Sequence, residues 1–469
     1  MTAVALRAAL TLSDVLAGTG GALAVPAPSE LALTSVSIDS RTLEAGALFV
    51  AVKGPRVDGH DFLADAAARG ARAALVHRDV ASSGGLALVR VADTAKGLSD
   101  LARHVRREAA IPIVGVTGSV GKTTTKDMTA HLLATRGPVL KTEGNLNNRY
   151  GVPLTLLRLR PEHAAAVLEM GMSAAGEIRA LSILAEPDVA AITRVAPVHL
   201  QFFPSVDAIA EAKAEILDGL RPGGTAVLNG DDPRLREIGG RFRGRVVWFG
   251  HDRRFEVSAG PGRSTAFGTT FDLQVGGSTV DVTLPLAGPH FTEDFLAAAA
   301  AAHVLGVAPE AMAEAAAGLR PARHRGELVR LGLKVHLLDD CYNSSPEALE
   351  AAIVALSLVP GSRRVAVLGD MLELGPTAPA LHRAAGRSLV GRVDAVVGVG
   401  PLAAGIVEGA REAGMEAGAL AHFASSGDAV VALPDLVRPG DAVLVKASRG
   451  MRLETVVDAL AARFGEGEA

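Results

Sequence analysis

Apolar residues along this chain gather into short runs of strand length, each separated from the next by a turn and a segment with helical spacing. In residues 35–110 the runs are Val36-Ser37-Ile38, Ala47 to Val52, Ala73 to Val76 and Ala87 to Val91. Leu98 to Ala110 then predicts a helix, with Leu101 and Val105 on one face. From Ile111-Pro112-Ile113-Val114-Gly115-Val116 onward the runs lack polar alternation: Ala164 to Leu168, Val189 to Thr193 and Thr225 to Leu228. Strands of that kind are buried on both faces, so the pattern predicts a mostly parallel sheet sandwiched by helices. Ala297 to Leu305 predicts an alanine-rich helix near the end of this block. After Gly318-Leu319-Arg320-Pro321 the pattern resumes with Val335 to Leu338, Val365 to Leu368, Ala395 to Val399 and Ala442 to Val445. The expected fold class is α/β in three domains: a small mixed α/β domain over 1–110, a central domain over 111–318 and a Rossmann-like domain over 319–469.

Composition narrows the function. At about 150 residues per domain, 469 residues fit three domains. Basic and acidic residues number 47 and 51, a net charge of −4, which argues against a broad nucleic-acid footprint. Aromatics at 3 % leave little for base-stacking platforms. The single cysteine, Cys341, excludes an internal disulfide framework and a zinc site built on cysteines. A mean hydropathy of +0.29 invites a membrane reading. Yet no window of about 18 residues is uninterruptedly apolar, and Arg7 and Asp14 break the N-terminal stretch. The expectation is a soluble, cytosolic monomer.

The sharpest chemical signal is Gly115-Val116-Thr117-Gly118-Ser119-Val120-Gly121-Lys122-Thr123, a variant of the G-x-x-x-x-G-K-[ST] phosphate loop between an apolar strand and a predicted helix, Thr123 to Thr135. Thr117, Gly118, Ser119, Val120 and Gly121 turn backbone N–H groups toward phosphate oxygens. Lys122 supplies a point charge, and the Thr123 hydroxyl suits Mg²⁺. The run Ala164 to Leu168 ends in Glu169, whose carboxylate at a parallel strand end suits a metal opposite Lys122 and Thr123. The next strand leads through Thr193-Arg194-Val195-Ala196-Pro197-Val198 to His199, within reach of the same pocket. Lys213, in Glu211-Ala212-Lys213-Ala214-Glu215-Ile216, stays open on these grounds between a solvated helix face and the pocket. No N-K-x-D follows, so a GTPase is not indicated.

These strings, in order and spacing, resemble the Mur ligases from about Thr11 to the last helix. The resemblance rests on the phosphate loop through Thr125, Glu143-Gly144-Asn145-Leu146-Asn147-Asn148, Leu168-Glu169-Met170-Gly171, Ala196-Pro197-Val198-His199-Leu200 and Ala212-Lys213-Ala214-Glu215-Ile216. It continues in Leu228-Asn229-Gly230-Asp231-Asp232, Asp339-Asp340-Cys341-Tyr342-Asn343, Gly369-Asp370-Met371-Leu372-Glu373-Leu374-Gly375 and Lys446-Ala447-Ser448-Arg449-Gly450. Within the family the strings look most like the branch that adds a dipeptide; the D-N-P-R string common in the diamino-acid-adding branch is absent.

The resemblance implies an ATP-dependent amide-forming ligase that joins D-alanyl-D-alanine to a UDP-N-acetylmuramoyl-tripeptide through an acyl phosphate. It implies catalytic Lys122, Glu169, His199 and Lys213. Thr123 and Glu169 would hold one Mg²⁺; His199 and Lys213, the latter as an N6-carboxylysine, would hold a second. ATP would also meet Asp294, Arg325 (with Arg323 as a rival), Asp340 and Asn343, with Tyr342 against adenine. Ser40, Arg41 and Lys53 would grip the uridine nucleotide, Asn145, Asn147 and Asn148 the peptide, and Lys446 and Arg449 the other substrate charges. Two departures stand out. Phe291 and Asp294 occupy positions where the family has adenine-reading asparagines, and a carboxylate only accepts where an amide also donates, so weaker ATP-over-GTP discrimination is expected. Cys341 stands where the family often has Ser. A catalytically silent, nucleotide-gated regulator is the rival class; it needs no second metal, so Glu169, His199 and Lys213 together argue against it.

Overall fold

The uninterrupted apolar runs assemble into three sheets with helices on their faces. The computed structural model describes residues 10–24, 26–80, 84–198, 200–465 and 467. In the first sheet Val36–Ser37, Leu48–Val50, Ala73–Val76 and Ala87–Arg90 run parallel, and Ala22–Leu23 pairs antiparallel with the last of these. These strands are shorter than the apolar runs suggest. Val52, for instance, turns its N–H back onto the Val50 carbonyl at 2.9 Å instead of continuing the ladder.

Helix Thr94–Glu108 joins this sheet to the next. Asp93 caps it by accepting from the Lys96 N–H at 2.8 Å, and Leu98, Leu101 and Val105 are buried beneath it. One continuous core runs from Leu48 and Leu101 to Ile113 and Leu168, so the helix is shared ground between the two sheets. Its end is anchored by Arg106, only 1 % exposed, which donates to the carbonyls of Ala109, Ile111, Ala185 and Glu186 and to Asp188 Oδ2.

The second sheet has ten strands. Seven run parallel in the order Val139–Lys141, Ala165–Glu169, Ile113–Thr117, Val189–Ile192, Thr225–Asn229, Arg245–Gly250, Val257–Ala259. Ile113–Thr117 comes first in sequence yet lies between two later strands. The chain departs to both sides of it, which opens a crevice at its carboxyl end. Beyond Val257–Ala259 the sheet turns antiparallel with Gly268–Val275, Arg263–Thr265 and Ser278–Leu284. This hairpin lies outside the runs read from the sequence because it alternates: Thr269, Phe271 and Leu273 are buried, Thr270 and Asp272 exposed. Its turn is Gly276-Gly277, both at positive φ (56° and 91°), as a two-residue hairpin turn requires. Helix His290–Val304 buries Ala297 through Ala302 beside this sheet, and it packs against helix Lys122–Leu133.

The third sheet runs Glu327–Arg330, His336–Asp340, Asp441–Lys446, Arg363–Gly369, Ala395–Val399, Leu420–Phe423; only the first pair is antiparallel. The last strand in sequence inserts between the first and second parallel strands. That brings Asp340, Lys446 and Gly369 to one edge, directly across from the second sheet's crevice.

Candidate active site

The loop after Ile113–Thr117 is shaped by two glycines and held from behind. Gly121 adopts φ 84°, and a Cβ on it would overlap the Asp294 carboxylate, so only glycine fits there. A Cβ on Gly118 would collide with Thr193 Oγ1. Ser119 donates its N–H to the Arg194 carbonyl at 2.7 Å and its hydroxyl to the Ala196 carbonyl at 3.1 Å. Thr193 donates its hydroxyl to the Val120 carbonyl at 2.6 Å. The end of the neighbouring strand therefore fixes the loop at both sides, leaving helix Lys122–Leu133 to point its positive end into the crevice.

Glu169 ends the adjoining strand, 3 % exposed and doubly held. Its Oε2 accepts from Thr123 Oγ1 and its Oε1 from Asn147 Nδ2, both at 2.8 Å. Thr123 and Glu169 thus present hard oxygen donors side by side, a set that suits Mg²⁺. Two lysines converge on one carbonyl: Lys122 Nζ and Lys213 Nζ each donate to the Gly118 oxygen at 2.8 Å. Lys213 is 2 % exposed, and burial together with the Lys122 charge pushes its pKa well below the ordinary lysine value. Burial also lowers the Lys122 pKa, with Glu169 opposing and Arg325 adding to the fall. The Lys213 side chain therefore lies in the pocket, where burial disfavours its charged form.

The third sheet supplies the opposite wall. Asp340 and Lys446 sit across from each other in register, and Lys446 Nζ reaches Asp340 Oδ2 at 2.5 Å and the Asn343 carbonyl at 3.0 Å. Arg325 lies with its guanidinium carbon 4.0 Å over the Tyr342 ring, and Arg449 approaches the same ring at 5.7 Å. Tyr342 thereby carries the Arg325 cation on the wall opposite the phosphate loop. Asp294 packs on the loop, and burial, reinforced by Glu293, raises its pKa well above the carboxylate range; Arg325 opposes that rise. Burial pushes His290 down to about 4. Together the two walls enclose a cleft of about 870 Å³.

Of the residues expected from sequence, Ser119 to Thr123, Asn147, Asn148, Glu169, Lys213, Asp294, Arg325, Asp340, Asn343, Lys446 and Arg449 line this cleft. Thr117 lies just behind it, donating its hydroxyl to the Met170 carbonyl at 2.8 Å. Arg325, rather than the exposed Arg323, faces inward. Asn147 is committed to Glu169, while Asn148 Oδ1 accepts from the Tyr150 and Gly151 N–H groups, both at 3.0 Å, and caps the following helix. Asn145 is exposed and outside the lining. Ser40, Arg41 and Lys53 belong to the first sheet's loops and do not line the cleft; Arg41 pairs with Asp39 at 2.7 Å. His199 falls outside the described residues.

Sequence reasoning missed the clamp by Thr193 and Arg194, whose only signal is a polar pair at a strand end. It also missed two cleft-lining atoms, His290 Nδ1 and Glu347 Oε2, which are buried without a hydrogen-bond partner. No spacing rule marks either.

Three family models match the chain: "Mur ligase family, catalytic domain" over residues 32–106, "Mur ligase middle domain" over 116–302 and "Mur ligase, glutamate ligase domain" over 324–449. The Bacillus subtilis UDP-N-acetylmuramoyl-tripeptide–D-alanyl-D-alanine ligase is 37 % identical over 450 residues, spanning 95 % of this chain and 97 % of its own. A crystal structure of MurF from Acinetobacter baumannii superposes with TM-score 0.88 at 32 % identity, covering 98 % of this chain and 100 % of that one. The Thermotoga maritima MurF ligase, solved with ADP, superposes with TM-score 0.80 at 31 % identity, covering 92 % and 97 %.

Proposed function

The chain belongs to the Mur ligase family, and from that premise we infer that it is the ATP-dependent ligase that joins D-alanyl-D-alanine to UDP-N-acetylmuramoyl-tripeptide. The tripeptide carboxylate attacks the γ-phosphorus of ATP, the bond to the β-phosphate bridging oxygen breaks and ADP leaves. The dipeptide amine then attacks the acyl carbon, and phosphate departs as the amide forms. The observation that carries this reading is the near end-to-end match to the Bacillus subtilis ligase, 95 % of one chain against 97 % of the other.

The chemistry explains the cleft. A carboxylate approaching a triphosphate brings like charges together, and only a concentration of cations makes that approach tolerable. Lys122 and Arg325 supply them from the two walls. Asp340 and Asn343 orient the ribose, Asp294 meets the adenine, and Lys446 and Arg449 serve the incoming dipeptide. Ser40, Arg41 and Lys53 grip the uridine nucleotide, and Asn145, Asn147 and Asn148 order the peptide end. We divide the labour by domain: 1–110 for the UDP substrate, 111–318 for ATP, and 319–469 for closure over ATP and dipeptide delivery.

Mg²⁺, when bound, neutralises phosphate oxygens that the lysines leave uncompensated. The Thr123 hydroxyl and Glu169 carboxylate are the residues that would hold one ion. Lys213 as a carbamate, with His199, would hold a second; support for the carbamate is the amine's burial, since an ammonium has no lone pair to offer. We take the enzyme to work as a monomer in the cytoplasm; no helix among the described residues is long and apolar enough to cross a membrane.

The test is phosphate release from ATP with the UDP-tripeptide, with and without D-alanyl-D-alanine. Release that needs both substrates is expected. Release independent of both overturns the ligase reading.

A further inference from the structure

We propose that His324, Asp339 and Cys341 form a binding site for a thiophilic divalent cation of the zinc type, at the junction where the chain enters the third domain. One ligand atom from each residue lies within 4.8 Å of the other two. His324 Nδ1 is 2.7 Å from Asp339 Oδ2. The site is closed to water: the His324 and Asp339 side chains are 12 % and 3 % exposed, and Cys341 is 1 % exposed.

Topology brings the three together. Asp339 and Cys341 share one face at the end of strand His336–Asp340, while the residue between them, Asp340, turns to the cleft. His324 comes from the connecting segment, where it adopts φ 63° and accepts at its carbonyl from the Tyr342 N–H at 3.1 Å.

Charge is the second argument. Among the described residues Asp339 has no lysine or arginine partner; it accepts from the His324 ring at 2.7 Å, from the Cys341 N–H at 3.4 Å and from the Cys341 thiol. With His324 neutral that buried carboxylate has no charged partner, and a dication held by one carboxylate, one thiolate and one neutral imidazole leaves no net charge behind. The donor set, one nitrogen, one oxygen and one sulfur, selects a borderline ion such as Zn²⁺ or Co²⁺ over Mg²⁺, which prefers oxygen. The site is therefore chemically distinct from the Thr123–Glu169 pair. Uptake releases one proton, from the Cys341 sulfur, to solvent; His324 passes to its Nε2–H tautomer, so that Nδ1, which otherwise donates to Asp339, offers its lone pair, and no electrons are exchanged. Occupancy would tie the connecting segment to the third sheet beside Arg325 and Tyr342.

The experiment titrates Co²⁺ into the metal-stripped full-length chain in the presence of saturating Mg²⁺. A thiolate-to-cobalt charge-transfer absorption is expected, saturating at one ion per chain and erased by Zn²⁺. Cys341→Ser abolishes the band. His324→Gln weakens binding by at least the roughly tenfold to hundredfold that losing even an outer-shell partner costs. A wild-type titration without the thiolate band overturns the proposal regardless of how the variants fold. So does a Cys341→Ser chain that retains as much Zn²⁺ as the wild type after dialysis.

Discussion

Glu169→Gln separates holding the fold from holding charge. Glu169 accepts one hydrogen bond from Thr123 and one from Asn147, each at 2.8 Å. Glutamine keeps an acceptor for Asn147 Nδ2 and turns its N–H₂ toward Thr123 Oγ1, which can accept. The exchange of bonds is nearly even, so stability should fall by no more than about 1 kcal/mol. What disappears is the only carboxylate among the described residues that bonds the Thr123 hydroxyl. By comparison with other preorganised charge-stabilising groups, that loss is worth about 3–4 kcal/mol, or roughly 10²–10³ in kcat. Asn147→Ala leaves the charge and the Thr123 bond in place but frees the carboxylate to rotate; a cost of about 10–100-fold is expected. Both changes act through one carboxylate, so the double variant should be scarcely worse than Glu169→Gln alone. The assay is ADP release with both substrates across a Mg²⁺ series, alongside thermal unfolding. Glu169→Gln within about threefold of wild type at every Mg²⁺ concentration, or full additivity of the two changes, would refute the reasoning.

Gly121→Ala forces a side chain into a left-handed position already filled by the Asp294 carboxylate, so ADP affinity should fall by at least about tenfold by calorimetry; unchanged affinity would count against the loop geometry. Asp294→Asn restores an amide, and the kcat/KM ratio of ATP to GTP should rise; a constant ratio rejects a base-reading role. The folded-state pKa of Asp294 is raised, so its contribution to stability is present below the ordinary carboxylate pKa and lost as pH climbs through the raised value. Asp294→Asn should therefore gain stability over wild type as pH increases and lose that advantage in acid, read from denaturant midpoints. Arg106→Ala removes the donor shared by the Ala109, Ile111, Ala185 and Glu186 carbonyls, while Asp188 keeps Arg221 and the Ile113 N–H, so about 2–4 kcal/mol of stability should go; a midpoint shift equivalent to less than about 1 kcal/mol would show the junction to be unimportant. Mass spectrometry of Lys213 in high bicarbonate should find the added carboxyl group, and an unmodified amine with full activity ends that reading.

The parts of the molecule that were legible in the sequence share one physical trait: each expresses itself locally. Ile113–Thr117 reads as a buried strand because the run Ile111 to Val116 holds no polar side chain, and the loop after it reads as a phosphate cradle because glycines, a lysine and a threonine fall close together. Ala395 to Val399 comes out residue for residue. The hairpin Gly268–Leu284 carried signals of its own, a strict alternation and a Gly-Gly turn, that a search for uninterrupted apolar runs passes over. Lys213 was beyond spacing arguments. Its neighbours Ala212 and Ala214 are small and Glu211 and Glu215 charged, and only the tertiary approach to Gly118 distinguishes a pocket lysine from a solvated one. Asn147 and Asn148 read alike in sequence, yet one holds Glu169 and the other caps a helix. Which of two adjacent amides turns inward is decided by the path of the chain between Thr142 and Gly151.

The three-domain layout follows from the same chemistry. Neither sheet alone completes the cleft: the second provides the loop, Glu169 and two lysines, and the third provides Arg325, Asp340 and Lys446. The phosphate loop, Glu169, Asp340 and Lys446 all sit at carboxyl strand ends, and the two groups line one cleft. A single rigid crevice presenting all these cations would be hard to keep stable, because Arg325 already adds to the fall in the Lys122 pKa and the Lys122 charge to that of Lys213. Splitting the charge lets Arg325 be held on Tyr342 and Lys446 be paired with Asp340 on the wall opposite the phosphate loop. A near-zero net charge is compatible with that cleft, because pairs such as Lys446–Asp340 bring opposite charges into it together.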